Sequence, residues 1–163
     1  DEHSRRLAGL RLKHPREVPR AHRHPAGERV YVVRRARIAQ DGRGEIDDAL
    51  AVVAALCDPA QPLALAGFSF GAYVASHAAA ALHPAQLVLI GPATANFTVA
   101  SVPAHTLVIH GEADDVVPLG ATLDWARPQA LPVVVVPGGG HFFHGQLPLL
   151  KSLVVRHLSA PAG

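Results

Sequence analysis

The stretch Leu63-Ala64-Leu65-Ala66-Gly67-Phe68-Ser69-Phe70-Gly71 decides the fold of this chain. The apolar run before Ser69 predicts a buried strand over 63–68, and the alanine-rich run after it predicts a helix over 70–82. A serine between strand and helix, with glycines on both sides, is typical of a sharp turn that holds a hydroxyl at its tip. We expect a Cβ at either Gly67 or Gly71 to clash with the neighbouring backbone.

Such a turn suits nucleophilic chemistry. A serine hydroxyl attacks poorly unless a base lies beside it and a nearby site stabilises negative charge. The start of the following helix offers unpaired backbone N–H groups and the positive end of the helix dipole. The sequence therefore predicts Ser69 as the nucleophile, with the backbone N–H of Phe70 as a donor to an oxyanion.

Strands and helices alternate on both sides of this turn. Further helices are predicted over 45–56, 119–126 and 146–158, and further strands over 86–90, 106–110 and 133–136. The strands are continuous apolar runs without alternating polarity, which indicates that each strand is buried on both faces of the sheet. The predicted fold class is α/β, with a mostly parallel sheet covered by helices on both faces.

Two more strand ends carry polar groups. Asp114 and Asp115 follow the strand over 106–110, and His141 follows the strand over 133–136. In parallel sheets the active groups gather at the carboxyl ends of strands, so these side chains are expected near Ser69. Neighbouring residues on an extended loop point apart, so only one aspartate can orient the histidine. Asp114 is favoured over Asp115.

Three motifs resemble those of the α/β-hydrolase superfamily: Gly67–Gly71, His110-Gly111-Glu112-Ala113-Asp114-Asp115-Val116-Val117-Pro118, and Pro137–Gly145 with His141 after its glycines. The resemblance covers residues 42–158 and is nearest to small, lidless serine hydrolases related to dienelactone hydrolases. It implies a triad of Ser69, Asp114 and His141, with the Phe70 N–H as oxyanion donor. It further implies hydrolysis of a small ester, thioester or lactone through an acyl-enzyme, with no metal or organic cofactor.

The beginning of the chain does not match this pattern. Residues 1–43 hold 12 of the 15 Lys and Arg residues and 5 of the 13 Asp and Glu residues. We expect 1–40 to be an atypical basic segment, disordered or not native to the fold, and 41–163 to be the hydrolase-like domain. The fold would then lack its usual N-terminal strands, and the second oxyanion donor would be missing. Loss of one such donor costs about 10²–10³ in rate, so we expect weak or no activity.

Three other functions stay open. The chain could be an inactive or truncated hydrolase-fold protein with a binding role, since fold does not determine function. His110, His141, His144 and Asp114 could hold a metal, although the serine turn would then be idle. The basic arm could bind nucleic acid, but it lacks interleaved aromatics and a recognition motif.

The expected partner is a small-molecule acyl substrate, with neither nucleic acid nor membrane. His144 is expected to pack against or cap the last helix. The single cysteine, Cys57, is expected as a small buried side chain at the end of a helix. With one cysteine and no apolar span of membrane length, the expected location is the cytoplasm.

Overall fold

The structure, a computed structural model, describes residues 42–160, together with the backbone of two short strands, His22–Arg23 (β1) and Arg29–Val32 (β2). The expectation of a basic, disordered or non-native segment over 1–40 lies largely outside these residues.

The described strands form one sheet. After β1 and β2 come Ala64–Phe68 (β3), Gln86–Ile90 (β4), Leu107–Gly111 (β5) and Val133–Val136 (β6), and their spatial order is the order along the chain. β1 and β2 are antiparallel, whereas β2 through β6 are parallel. The carboxyl ends of β3, β5 and β6 therefore open on the same edge of the sheet.

Within residues 42–160, four helices connect and cover these strands: Arg43–Leu56 (α1), Phe70–Leu82 (α2), Leu119–Ala126 (α3) and Leu147–Leu158 (α4), with a 3₁₀ turn at Arg127–Gln129. One sheet face, carrying Leu65, Leu87 and Leu89, packs against α1 and the alanines of α2. The other face, carrying Ala64, Val88 and Ile109, packs against α4. The predicted α/β fold with helices on both faces is confirmed.

The predicted element bounds hold closely. The bounds of α2, α3, β4 and β6 are as predicted, while α1 begins two residues earlier than predicted. Cys57 is not a helical residue but the residue that ends α1, where its partly buried side chain packs against the core. No helix among residues 42–160 has the length and hydropathy needed to cross a membrane.

The two glycines of the serine turn differ, contrary to expectation. A Cβ on Gly67 would fall on the carbonyl group of Gly71 and lie 2.6 Å from Cα of Ala72. A Cβ on Gly71 would meet no atom of the described residues within 4 Å. The expected clash is therefore confirmed at Gly67 and wrong at Gly71, because Gly71 lies inside α2, where the position of an added Cβ is open.

This difference predicts opposite effects of one methyl group. We expect Gly67→Ala to lower the free energy of unfolding by about 1–3 kcal/mol, because the turn must open. We expect Gly71→Ala to raise it by about 0.5–1 kcal/mol, because alanine favours the helical backbone. Urea unfolding of both variants measures this, and equal destabilisation would contradict the contact at Gly67.

Candidate active site

Ser69 lies in a strained backbone conformation between β3 and α2. Its φ of 54° and ψ of −117° fall in a region that residues with a side chain rarely adopt. The Ser69 N–H donates to the carbonyl of Ile90 at 2.9 Å, which ties the turn to the end of β4. This backbone directs the hydroxyl out of the sheet at its carboxyl edge.

His141 lies against that hydroxyl. Its side chain is buried, and its Nε2 is 3.0 Å from Ser69 Oγ. The loop that carries it is fastened to the loop after β5: the N–H of Ala113 donates to the carbonyl of Gly139 at 2.9 Å. A Cβ on Gly111 would fall on that same carbonyl, so this close approach requires glycine.

Asp114 completes a line of hydrogen-bonded groups. Its Oδ2 accepts from His141 Nδ1 at 2.8 Å, and its Oδ1 accepts from the N–H groups of Val116 and Val117 at 2.9 and 2.8 Å. Because a carboxylate only accepts, the ring proton of a neutral His141 lies on Nδ1. Nε2 is then free to accept the proton of the Ser69 hydroxyl.

The surroundings of Asp114 favour its charged form. Burial of the carboxyl raises its pKa, but the hydrogen bonds from Val117, His141 and Val116 and the charge of His141 outweigh burial. The pKa of Asp114 is therefore held below its ordinary value of 3.8. An ionised carboxylate is thus available to face an imidazolium at neutral pH.

The other polar candidates lie apart from this line. Asp115 is exposed, whereas Asp114 points inward. His144 is exposed, its ring contacts Phe142, and no side chain caps the N-terminus of α4, so the expected capping role is wrong. Within residues 42–160, no group of three or more His, Cys, Asp or Glu side chains is arranged to hold a metal ion.

The aromatic residues near the turn divide into two sets. Phe68 and Phe142 are 40% and 56% exposed, and their ring centroids lie 4.9 and 5.1 Å from that of His141. Phe70 and Phe97 instead pack against Tyr73 in the core. The first set borders the open side of the site.

Phe70 is also the first residue of α2, so its N–H has no acceptor within the helix.

Sequence reasoning named His110 only as a possible metal ligand, and it missed the threonines that lie behind Asp114 with it. His110 Nε2 is 2.8 Å from the carbonyl of Val117, and His110 Nδ1 is 3.2 Å from Thr122 Oγ1. Thr122 Oγ1 is in turn 3.0 Å from Thr94 Oγ1. The threonines carry no sequence signal, because residues 94, 110 and 122 meet only when the sheet is assembled.

Comparison with known proteins agrees with this architecture. The chain is 39% identical to a lidless α/β serine hydrolase from Xanthomonas campestris, with a TM-score of 0.69. This match covers 78% of the present chain and 62% of the Xanthomonas protein. It is 34% identical to an α/β serine hydrolase homologue from Coxiella burnetii, with a TM-score of 0.65 and coverages of 76% and 62%. A meta-cleavage product hydrolase from Pseudomonas fluorescens shares the fold, at 17% identity, with a TM-score of 0.62 and coverages of 77% and 74%.

The sequence itself matches no protein-family model and no curated protein. The chain spans 62% of the length of the Xanthomonas and Coxiella proteins. It has the α/β-hydrolase fold and is similar to serine hydrolases of that superfamily, as the sequence predicts.

The lowered pKa of Asp114 predicts how stability depends on pH. As the pH falls, the unfolded chain binds the proton first, so the stabilisation is complete above the unfolded value near 3.8 and is lost as the pH falls toward the lower folded value. We expect Asp114→Asn to lower the free energy of unfolding at pH 7 and to weaken its decline below pH 4. Urea unfolding between pH 3 and pH 7 measures both.

Asp115→Asn is the matched control, because the exposed neighbouring carboxylate makes no contact with His141. It should reproduce the wild-type pH dependence. An unchanged pH dependence in Asp114→Asn would contradict the ionised, buried carboxylate.

Proposed function

We propose that this protein is a serine hydrolase that cleaves small esters, thioesters or lactones through an acyl-enzyme. The observation that carries the proposal is the continuous line from Ser69 Oγ to His141 at 3.0 Å and from His141 to Asp114 at 2.8 Å. Such a line recurs on unrelated folds wherever serine is the nucleophile, and it is recognised by geometry and not by sequence position.

The chemistry follows from the order of donors and acceptors. Ser69 Oγ attacks the acyl carbon while its proton passes to His141 Nε2. The resulting imidazolium keeps its Nδ1 proton on Asp114, whose carboxylate stabilises the new positive charge. His141 then gives the Nε2 proton to the leaving alcohol or thiol as the tetrahedral intermediate collapses. Water, deprotonated by the same nitrogen, cleaves the acyl-enzyme and restores Ser69.

The oxyanion of the intermediate needs donors in place before the reaction. In this proposal the Phe70 N–H, at the N-terminus of α2, is one such donor, and the helix dipole adds to its effect. The resemblance implies a second donor from a loop upstream of the serine turn, which lies outside the described residues. Without it we expect a rate lower by about 10²–10³.

An inactive hydrolase-fold protein is the second candidate. The observation in its favour is that residues 1–40 do not match the superfamily pattern that would supply the second oxyanion donor. Such a protein would fold and keep the Ser69–His141 pair without forming an acyl-enzyme. A test of covalent reactivity in a folded sample separates the two candidates.

A fluorophosphonate probe provides that test, since it reacts only with an activated serine. We expect one labelled site, Ser69, located by peptide mass spectrometry, and no labelling of Ser69→Ala. Ser152→Ala, at an exposed serine on α4, should label like the wild type. A folded wild-type protein that stays unlabelled would favour the inactive candidate.

The exposed aromatic rings beside His141 predict a preference for apolar substrates. Phe142→Ala should raise KM for an apolar ester about fivefold, equivalent to about 1 kcal/mol of lost contact, with kcat little changed. Comparison of acetate and hexanoate esters of one alcohol measures this, and the effect should be larger for hexanoate.

Val155→Ala serves as the control for this substitution. Val155 is 40% exposed in the last turn of α4, where Leu158 packs against Ala64 at the start of β3, away from the carboxyl edge. A KM for hexanoate that is unchanged from the wild type in Phe142→Ala would show that the ring does not contact the acyl chain.

A further inference from the structure

A histidine with no role in the proposed proton transfers lies behind the triad. His110 is in β5, one residue before the strand ends, and its side chain is fully buried. A buried imidazole needs partners for both nitrogens, because an unpaired polar group loses its hydration without compensation. Both nitrogens of His110 have such partners, so its place in the core depends on a specific set of hydrogen bonds.

These partners determine which nitrogen carries the proton. The carbonyl of Val117, 2.8 Å from Nε2, can only accept, so Nε2 is the donor. Nδ1 of the neutral ring is then an acceptor, and it receives the hydroxyl of Thr122 at 3.2 Å. The Thr122 oxygen remains able to accept from the Thr94 hydroxyl at 3.0 Å. One consistent direction of hydrogen bonds therefore runs from Thr94 through Thr122 and His110 to Val117.

Val117 joins this chain of hydrogen bonds to the triad. Its N–H donates to Asp114 Oδ1 at 2.8 Å, while its carbonyl accepts from His110. The His110 Nε2 atom is also 3.5 Å from Asp114 Oδ2, the oxygen that accepts from His141. The polar edge of the His110 ring thus faces both the backbone of the acid loop and the carboxylate itself.

We propose that His110 is a positioning residue, which holds the acid loop through Val117 so that Asp114 Oδ2 meets His141 Nδ1. Thr122 and Thr94 fix the ring and its tautomer. This inference rests on the proposed function only for its effect on rate; the Asp114–His141 hydrogen bond that it explains exists in the resting protein.

A purely packing role for His110 makes a different prediction. An apolar side chain of similar size would then serve as well, and any loss of activity would follow the loss of folded protein. A positioning role requires a donor toward Val117 and an acceptor toward Thr122. A glutamine amide carries both groups, so His110→Gln and His110→Leu form a discriminating pair.

The first test measures kcat and KM for hydrolysis of an activated ester by the 163-residue chain. The temperature is one at which circular dichroism shows every variant to be folded. We expect His110→Leu to lower kcat about tenfold with KM unchanged, since a displaced carboxylate still leaves Ser69 and His141 in place. His110→Gln should recover most of that loss. Thr122→Val should lower kcat and Thr122→Ser should restore it. His105→Leu, at an exposed histidine, is the control for the same chemical change and should behave as wild type.

The second test needs no activity. The His141 Nδ1 proton, held by Asp114, should give a downfield proton NMR signal that disappears in Asp114→Asn. We expect His110→Leu to move or broaden this signal and His110→Gln to retain it. An unchanged signal in His110→Leu, or equal kcat losses in the leucine and glutamine variants, would overturn the positioning role. If the wild type fails to hydrolyse the ester, the proposed function fails, and the NMR comparison alone decides the role of His110.

Discussion

The hydrogen-bonded line of Ser69, His141 and Asp114 depends on one strained backbone, that of Ser69. Its φ of 54° with ψ of −117° costs about 1–3 kcal/mol, so surrounding contacts must maintain it. Two contacts do so: the hydrogen bond from the Ser69 N–H to Ile90, and the close approach of Gly67 to the Gly71 carbonyl. The parallel sheet provides both, since β4 lies beside β3 and α2 returns along the face of β3. The orientation of the Ser69 hydroxyl is therefore a property of the sheet and not of the turn alone.

Asp114 and His141 reach Ser69 through two loops that are bonded to each other. β5 and β6 are parallel neighbours, so the loops that follow them leave the sheet side by side. Backbone hydrogen bonds from Glu112 to Val136 and from Ala113 to Gly139 hold these loops together independently of the Asp114–His141 contact. The Asp114–His141 pair consequently lies on a rigid double loop. Behind this pair, the hydrogen bonds of His110 and Thr122 continue into the core, which extends the ordered polar groups well beyond the reacting atoms.

Much of this could be predicted, because the signals are local. Continuous apolar runs ending in glycine or proline gave the bounds of β4 and β6, and helical periodicity gave α2 and α3. Expectations failed where a side chain's surroundings depend on other elements. Gly71 was expected to be as tightly packed as Gly67. An added Cβ clashes only at Gly67, because Gly67 lies in β3 and Gly71 lies in α2. His144 follows His141 by three residues, yet its loop leaves it exposed beside Phe142 and not at the end of α4.

The amino-acid sequence by itself determined the order of strands and helices and the strand ends that bear Ser69, His141 and an aspartate. Those features follow from hydrophobic periodicity and turn residues, which act over a few neighbouring positions. Only the tertiary structure decided that Asp114 and not Asp115 faces His141, because that contact joins the loop after β5 to the loop after β6, across 27 residues of sequence. It likewise brought His110 to the back of Asp114, since the partners of that ring lie in the loop after β5 and in α3, and Thr122 in turn meets Thr94 from the loop after β4. Long-range packing selects such contacts, and no local pattern encodes them.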